Sequence, residues 1–310
     1  MTFLLFSEFS VINSFNQDRH LREISGNPSV TREMLELLHS FGAVPNERHL
    51  KIFLEGKSTN VEALEFFLSK MQDFKCTHER KENFLQLLCK REKLDFQFCD
   101  VFLKKAPRSL LGSRGKSTMS EKMPMTHLLR NSNLSGPILQ LFVDNDFDIA
   151  LVQGKSASVD YFEQENSAYV VYLEKREEVD VEVIRILLKH CGPGGNFPLL
   201  MLCKKREPNF EAIEEMVKAA PSDINFVMWK LLEETCINLK LFKFLLERGQ
   251  NLELMTRRGD ILHVGLEKGF YDLEVVKMLI EKGVDLNRSD HRGKTAILWW
   301  EKFLTTILFL

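Results

Sequence analysis

Internal self-similarity restricts this chain more than any other feature. Shifted by 34 residues near its end, Leu245-Leu246-Glu247-Arg248-Gly249 falls on Leu279-Ile280-Glu281-Lys282-Gly283, Leu252 on Leu286, Arg258 on Arg292 and Gly259 on Gly293. A shift of 114 lays Leu88-Cys89-Lys90 on Leu202-Cys203-Lys204, Phe96 on Phe210, Lys104 on Lys218 and Ala106-Pro107 on Ala220-Pro221. A shift of 85 lays Lys90-Arg91-Glu92 on Lys175-Arg176-Glu177 and Leu103-Lys104 on Leu188-Lys189. Chained together, these give one marker per unit: Gly42, Met71, Ala106, Asn145, Cys191, Ala220, Gly249 and Gly283, at steps of 29, 35, 39, 46, 29, 29 and 34 residues. Periods of this size belong to repeat arrays, in which each unit buries its apolar face only against its neighbours.

Each unit has the same grammar. A short apolar run, such as Phe84-Leu85-Gln86-Leu87-Leu88 or Leu199-Leu200-Met201-Leu202, is followed by a polar gap. A second run then recurs at helical spacing, as in Val275, Met278 and Leu279. Two helices per unit are predicted. Gly42, Gly249, Gly283 and Asn145 stand where the second helix ends, and these residue types tolerate the left-handed conformation that terminates a helix. The two longest steps predict loop insertions near 108–122 and 152–167. Apolar residues make up 44% of the chain, with 24 Phe to fill a core. The 42 Lys and Arg nearly balance 44 Asp and Glu, which argues against a dedicated nucleic-acid binder.

The final units resemble a known family. Leu279-Ile280-Glu281-Lys282-Gly283-Val284-Asp285-Leu286-Asn287, continued by Asp290-His291-Arg292-Gly293-Lys294-Thr295-Ala296-Ile297, looks like an ankyrin repeat. Val284 replaces the family's Ala and Ile297 its Leu. Leu262-His263 resembles the family's leucine and histidine. One residue is missing between Gly259 and His263, and two are extra between Gly269 and Gly283. The resemblance covers 240–298. Upstream, only Ser40-Phe41-Gly42-Ala43 with Asn46 echoes the motif, so the first half is expected to be degenerate.

What the resemblance implies is an all-α, ankyrin-type helical repeat solenoid of about eight to nine helix pairs with short hairpin fingers. Its signature residues here are Gly249, Gly259, His263, Gly283, Asp285, Asn287, Asp290, Gly293 and Thr295. Gly283 ends a helix, Asp290 and Gly293 suit the ends of a tight turn, and Thr295 is placed to cap the next helix. Residues 1–29 are expected as a cap or irregular segment, 30–298 as the array, and 299–310 as an apolar capping tail or incomplete repeat.

The titratable clusters each admit a plain structural reading. Gly112-Ser113-Arg114-Gly115-Lys116-Ser117-Thr118 lacks the first glycine of a phosphate loop, since position 110 is Leu110. It reads as a basic loop, with Ser117 a candidate regulatory site. Cys76-Thr77-His78 and His190-Cys191 lack the paired spacing of a structural zinc site. Gly192-Pro193-Gly194-Gly195 reads as a loop. Asp144-Asn145-Asp146-Phe147-Asp148 begins like a calcium loop, but Ile149 and Lys155 occupy the positions that need glycine and glutamate. Glu177-Glu178-Val179-Asp180-Val181-Glu182 reads as a solvated acidic face, and His127 as a packing residue. No nucleophile arrangement is visible. The six cysteines contain no C-x-x-C pair and read as reduced, packed thiols.

A bilayer span needs roughly 18 consecutive apolar residues, and no run reaches that length. The N-terminus lacks a positive leader and Glu8 interrupts it, so no signal peptide is expected. A cytoplasmic or nuclear location is the expectation. The expected function is a non-enzymatic scaffold or adaptor, without cofactor, metal, nucleic acid or small-molecule substrate. It would bind another protein through the concave helical face and the finger tips. Arg257, Arg258, His291 and Arg292 lie at the two best-defined tips and would face an acidic partner. Trp299-Trp300 is expected to seal the stack. The alternatives are an enzyme hidden in a repeat frame, and a fragment of a longer ankyrin-containing protein whose effector domain is absent.

Overall fold

The computed structural model describes residues 14–71, 84–111, 124–149, 167–233, 238–249, 261–267, 269, 273–290 and 292–300. The chain divides into two compact units, Met1–Tyr172 and Leu173–Leu310. Helices up to the division are α1 (Ser14–Ser25), α2 (Arg32–Ser40), α3 (Glu47–Glu55), α4 (Val61–Ser69), α5 (Phe84–Lys90), α6 (Phe96–Lys105), α7 (Arg108–Leu111), α8 (Pro124–Arg130), α9 (Gly136–Asp144) and α10 (Ala168–Leu173). The second unit continues with α11 (Val181–Cys191), α12 (Asn196–Cys203), α13 (Phe210–Ala219), α14 (Asp223–Glu233), α15 (Leu239–Arg248), α16 (Ile261–Glu267) and α17 (Leu273–Glu281). Residues 296–300 are also helical. Among the described residues there is no β-strand, only an isolated antiparallel bridge between Ser289 and Thr295.

The helices alternate between two rows. In the first unit α1, α3, α5 and α8 pack each on the next, and so do α2, α4, α6 and α9. In the second unit α12, α14 and α16 form one row, while α11 packs on α13 and α15 on α17. Phe210 and Phe244 join α13 to α15 edge to face, their ring centroids 5.0 Å apart. The helices are short, and a helix of this length is marginal by itself in water. Each is held by burying an apolar stripe against its row neighbours.

Phenylalanine fills the space between helices. Phe53 of α3 lies 5.1 Å from Phe67 of α4 and 5.9 Å from Phe98 of α6, between ring centroids. All three are fully buried. Cys89, Cys99 and Cys203 are buried free thiols, and burial pushes Cys99 and Cys203 up to about 12. Cys76 and Cys236 lie outside the described residues, as do 112–123, 150–166 and 301–310. The phosphate-loop-like stretch and most of both expected insertions fall there. Among the described residues no helix is long and apolar enough to cross a membrane.

Helix ends differ in part from the expectation. Gly42 and Gly283 have φ of 95° and 82°. After each, the chain folds back in the same way, with Ala43 N–H donating to Leu38 and Val284 N–H to Leu279. At the end of α9 the left-handed residue is Asp146, φ 64°, not Asn145. Aspartate is among the few side chains that visit this region readily. Gly249 has φ −68° and leaves α15 in extended conformation, as Ala106 leaves α6. Glycine there supplies no special backbone geometry.

His49 is fully buried and completes a capping box at the start of α3. Its Nδ1 accepts the Asn46 N–H at 3.1 Å, and Nε2 lies 3.3 Å from the Asp18 carbonyl. Burial lowers its pKa below the ordinary 6.5, although Asp18 pulls the other way. The folded state therefore holds a neutral imidazole that the unfolded chain protonates more readily. Stability should be complete above pH 6.5 and fall as the pH drops toward the folded-state pKa. Urea titrations from about pH 7.5 to about pH 5 should show this slope, and His49→Gln should flatten it. Phe53→Ala, which opens a cavity beside two other rings, should lower stability by about 3–5 kcal/mol in the same assay.

Candidate functional site

Two groups of residues stand out, one foreseen from the sequence and one not. The foreseen group is the hairpin between α17 and residues 296–300. Asp285 Oδ1 accepts the Asn287 N–H at 2.9 Å and starts the turn. Asp290 is its hub. Its Oδ1 accepts the N–H of Arg292 at 2.8 Å and of Lys294 at 2.9 Å, and Oδ2 accepts Trp299 Nε1–H at 3.1 Å. Its own N–H donates to the Lys294 carbonyl at 2.8 Å. Gly293 takes φ 70° inside this turn. Asp290 is only 8% exposed, so a carboxylate sits nearly buried with three donors around it.

Six signature residues, Gly283, Asp285, Asn287, Asp290, Gly293 and Thr295, thus belong to one hairpin. Thr295 pairs by its backbone with Ser289 and its carbonyl accepts the Leu298 N–H at 3.1 Å. His263 is buried in α16. Gly249 ends α15, and Gly259 lies outside the described residues. Of the four candidate partner-binding residues, Arg257, Arg258 and His291 also lie outside them. Arg292 is described. Its Nη1 is 3.5 Å from Glu267 Oε1 on α16, so its charge is partly committed within the chain.

The second group recurs just after helix ends, three times where a first helix turns into a second and once after a second helix, α17. Arg91, directly after α5, reaches back to the end of α3. Its Nη1 donates to the Phe53 carbonyl at 3.2 Å and the Leu54 carbonyl at 2.7 Å, and Nη2 to the Ser58 carbonyl. Its guanidinium also lies 4.6 Å from the centroid of the Phe98 ring. Asn131, directly after α8, does the same for α5, donating to Cys89 at 3.0 Å and Arg91 at 2.6 Å. Lys205, after α12, donates to the carbonyls of Leu173 (2.6 Å) and Arg176. Lys282, after α17, donates to Glu247 at 3.0 Å and Gly249 at 2.9 Å.

The physical reason is the same each time. The last carbonyls of a helix lack intrahelical donors and carry partial negative charge. A long cationic or amide side chain from the following helix end supplies the donors. Burial pulls Arg91 and Lys205 down from their ordinary pKa values. The shifts of 85 and 114 carry Arg91 onto Arg176 and Lys205, so the recurrence is present in the sequence. Nothing in those registers distinguishes a clamp from a solvated charge. Six second helices also share an N-cap: Thr31, Asn60, Asp95, Asp180, Asn209 and Asn238 each accept a backbone N–H from the first turn, whereas Ser135 before α9 makes no such bond. Asp180 of the acidic 177–182 cluster is therefore a cap, and Asp144 and Asp146 lie at the end of α9.

Among the described residues, no group of three or more His, Cys, Asp or Glu side chains is gathered to hold a metal ion. His190 is exposed beside half-buried Cys191, while His127 is half-buried on α8. No known family model, curated protein or solved structure matches the chain.

Arg91 gives the sharpest test of the clamp. Arg91→Met keeps the length of the stem but strands the carbonyls of Phe53, Leu54 and Ser58. It should lower stability by about 3 kcal/mol, with Arg91→Lys intermediate, as read from urea midpoints. Equal stability of wild type and Arg91→Met would show that the guanidinium contributes nothing to closing these helix ends.

Proposed function

We propose that this chain is an ankyrin-type helical repeat protein that acts as a protein–protein interaction scaffold. The observation that carries the reading is the succession of short helix pairs, with six second helices capped and with helix ends closed by residues from their neighbours. Such an arrangement orders a long run of surface. The Asp290-centred hairpin adds support, because it gathers six residues of the ankyrin-like motif into one turn.

Function then follows from rigidity. Helices held by caps, clamps and packed rings lose little further freedom on binding, so more of the contact energy appears as affinity. The partner is a protein that meets the helical face or the hairpins. Arg257, Arg258, His291 and Arg292 are the cationic candidates for an acidic partner segment. Arg292, anchored by Glu267, would present its guanidinium with a reduced ordering penalty.

Affinity capture from the native cell, followed by titration of the purified partner, tests this reading. Wild type should retain a saturably bound protein. The combined variant Arg257→Ala, Arg258→Ala, His291→Ala and Arg292→Ala should weaken it by about tenfold, the equivalent of roughly 1.4 kcal/mol. Undiminished affinity would move the contact from the hairpin tips to the helices. The absence of any saturable protein partner would overturn the scaffold reading.

A further inference from the structure

Second helices meet their neighbours in one register. Counted from its first residue, the fifth position of a second helix reaches the second, sixth or tenth position of the next. Arg185, fifth in α11, lies 3.0 Å from Glu211 and 3.4 Å from Glu215, second and sixth in α13. Lys243, fifth in α15, pairs with Glu274, second in α17. Glu65, fifth in α4, lies 2.7 Å from Lys105, tenth in α6, and Glu214, fifth in α13, lies 3.6 Å from Arg248, tenth in α15. The first and eighth positions face the same way. Phe210, first in α13, meets Phe244, sixth in α15, and His39, eighth in α2, meets Phe66, sixth in α4, with ring centroids 5.0 and 6.0 Å apart.

The register is open at two places. Among the described residues no further second helix follows α17, and none precedes α2. At its first, fifth and eighth positions α17 presents Leu273, Lys277 and Ile280, the two apolar residues 58% and 43% exposed. The shift of 34 relates these three to Leu239, Lys243 and Leu246 of α15. There Lys243 is bound to Glu274 and Leu246 is fully buried. At its second and sixth positions α2 presents Glu33, exposed, and Leu37, 39% exposed. The Glu33 carboxylate is held below its ordinary pKa by its own N–H and by Thr31, both at the start of the same helix. The neighbouring Arg32 is committed to Glu36 at 2.7 Å. Among the described residues neither Lys277 nor Glu33 has an ion pair with another helix. The two faces are therefore complementary in the established register. Glu33 suits Lys277 as Glu274 suits Lys243, and Leu37 suits Leu273 as Phe244 suits Phe210.

We infer that α17 of one copy of this chain docks on α2 of a second copy, with Lys277 against Glu33 and Leu273 against Leu37, so that the register of second helices runs on from one molecule into the next. The two faces differ, so the contact is heterologous. Each added copy leaves one face of each kind open, and growth continues unless a ring closes. The inference goes beyond the scaffold reading and does not involve the hairpin residues 285–295.

Sedimentation velocity of the full chain over a series of concentrations tests it. The weight-average sedimentation coefficient of wild type should rise with concentration, and less steeply at high salt. Lys277→Glu or Glu33→Lys places like charges at the junction and should weaken association about tenfold. Lys189→Glu, at an exposed position of α11, should change nothing. Mixed in equal amounts, the two single variants should associate again, because each altered face then meets the opposite charge on the other chain. A chain carrying both substitutions should do so by itself. Glu33→Lys also takes an acid from the first turn of α2 and costs some stability, but a misfolded chain would not be rescued by mixing. A wild type that stays monomeric throughout, association unmoved by either substitution, equal loss with Lys189→Glu, or a mixture that fails to recover would overturn the proposal. If wild type stays monomeric while the native-cell partner is still retained, the self-docking inference falls and the scaffold reading stands.

Discussion

The unsatisfied carbonyls at the end of a short helix govern this architecture. A helix of seven residues, such as α5 or α8, makes about as many internal hydrogen bonds as it leaves carbonyls orphaned. Nucleating such a helix in isolation is unfavourable. Its survival therefore depends on what lies next to it. Arg91, Asn131, Lys205 and Lys282 meet that need with donors reaching across from the end of a following helix. Apolar burial would hold the helices together without these side chains. It would not say where each helix stops, and the clamps do.

Charge on the second row is matched just as locally. Arg185 of α11 reaches Glu211 and Glu215 of α13, Arg248 of α15 lies 3.6 Å from Glu214, and Lys105 of α6 pairs with Glu65 of α4 at 2.7 Å. Lys243 pairs with Glu274 between α15 and α17. Each exposed pair contributes little to stability, but together they match acids with bases between neighbouring helices.

Much of the arrangement is legible in the amino-acid sequence. The shifts of 34, 85 and 114 residues mark where second helices end, and apolar spacing separates first from second runs. Gly42 and Gly283 take the left-handed conformation that their residue type suggests. Asn145 and Gly249 do not, because a terminating residue is chosen by the exit path of the chain as well as by propensity. Asp146 assumes the role one position later. The Asp290 hairpin is legible because several of its residues are chemically obligatory: a carboxylate to gather amides, and a glycine for positive φ. The clamps are not legible. A cation after a helix is the commonest of surface residues, and its value here comes from carbonyls about thirty or more positions upstream. The N-caps of the second helices escape notice for a simpler reason, since Asn and Asp before an apolar run also read as turn residues. Of the four tip residues, only Arg292 lies among the described residues, and its contact with Glu267 depends on the packing of α16, which no local motif encodes.

The span of the clamps has a consequence for how the chain is made. Arg91 meets Leu54 from 37 residues downstream, Asn131 meets Cys89 from 42, Lys205 meets Leu173 from 32 and Lys282 meets Gly249 from 33. None of these four clamps waits for a distant part of the sequence. During synthesis, each such helix end gains its donor as soon as roughly one further unit has left the ribosome, at a rate of about 5–20 residues per second. Closure would then advance from the N-terminus in steps of a few seconds, the newest pair always the least secured and its predecessor already locked.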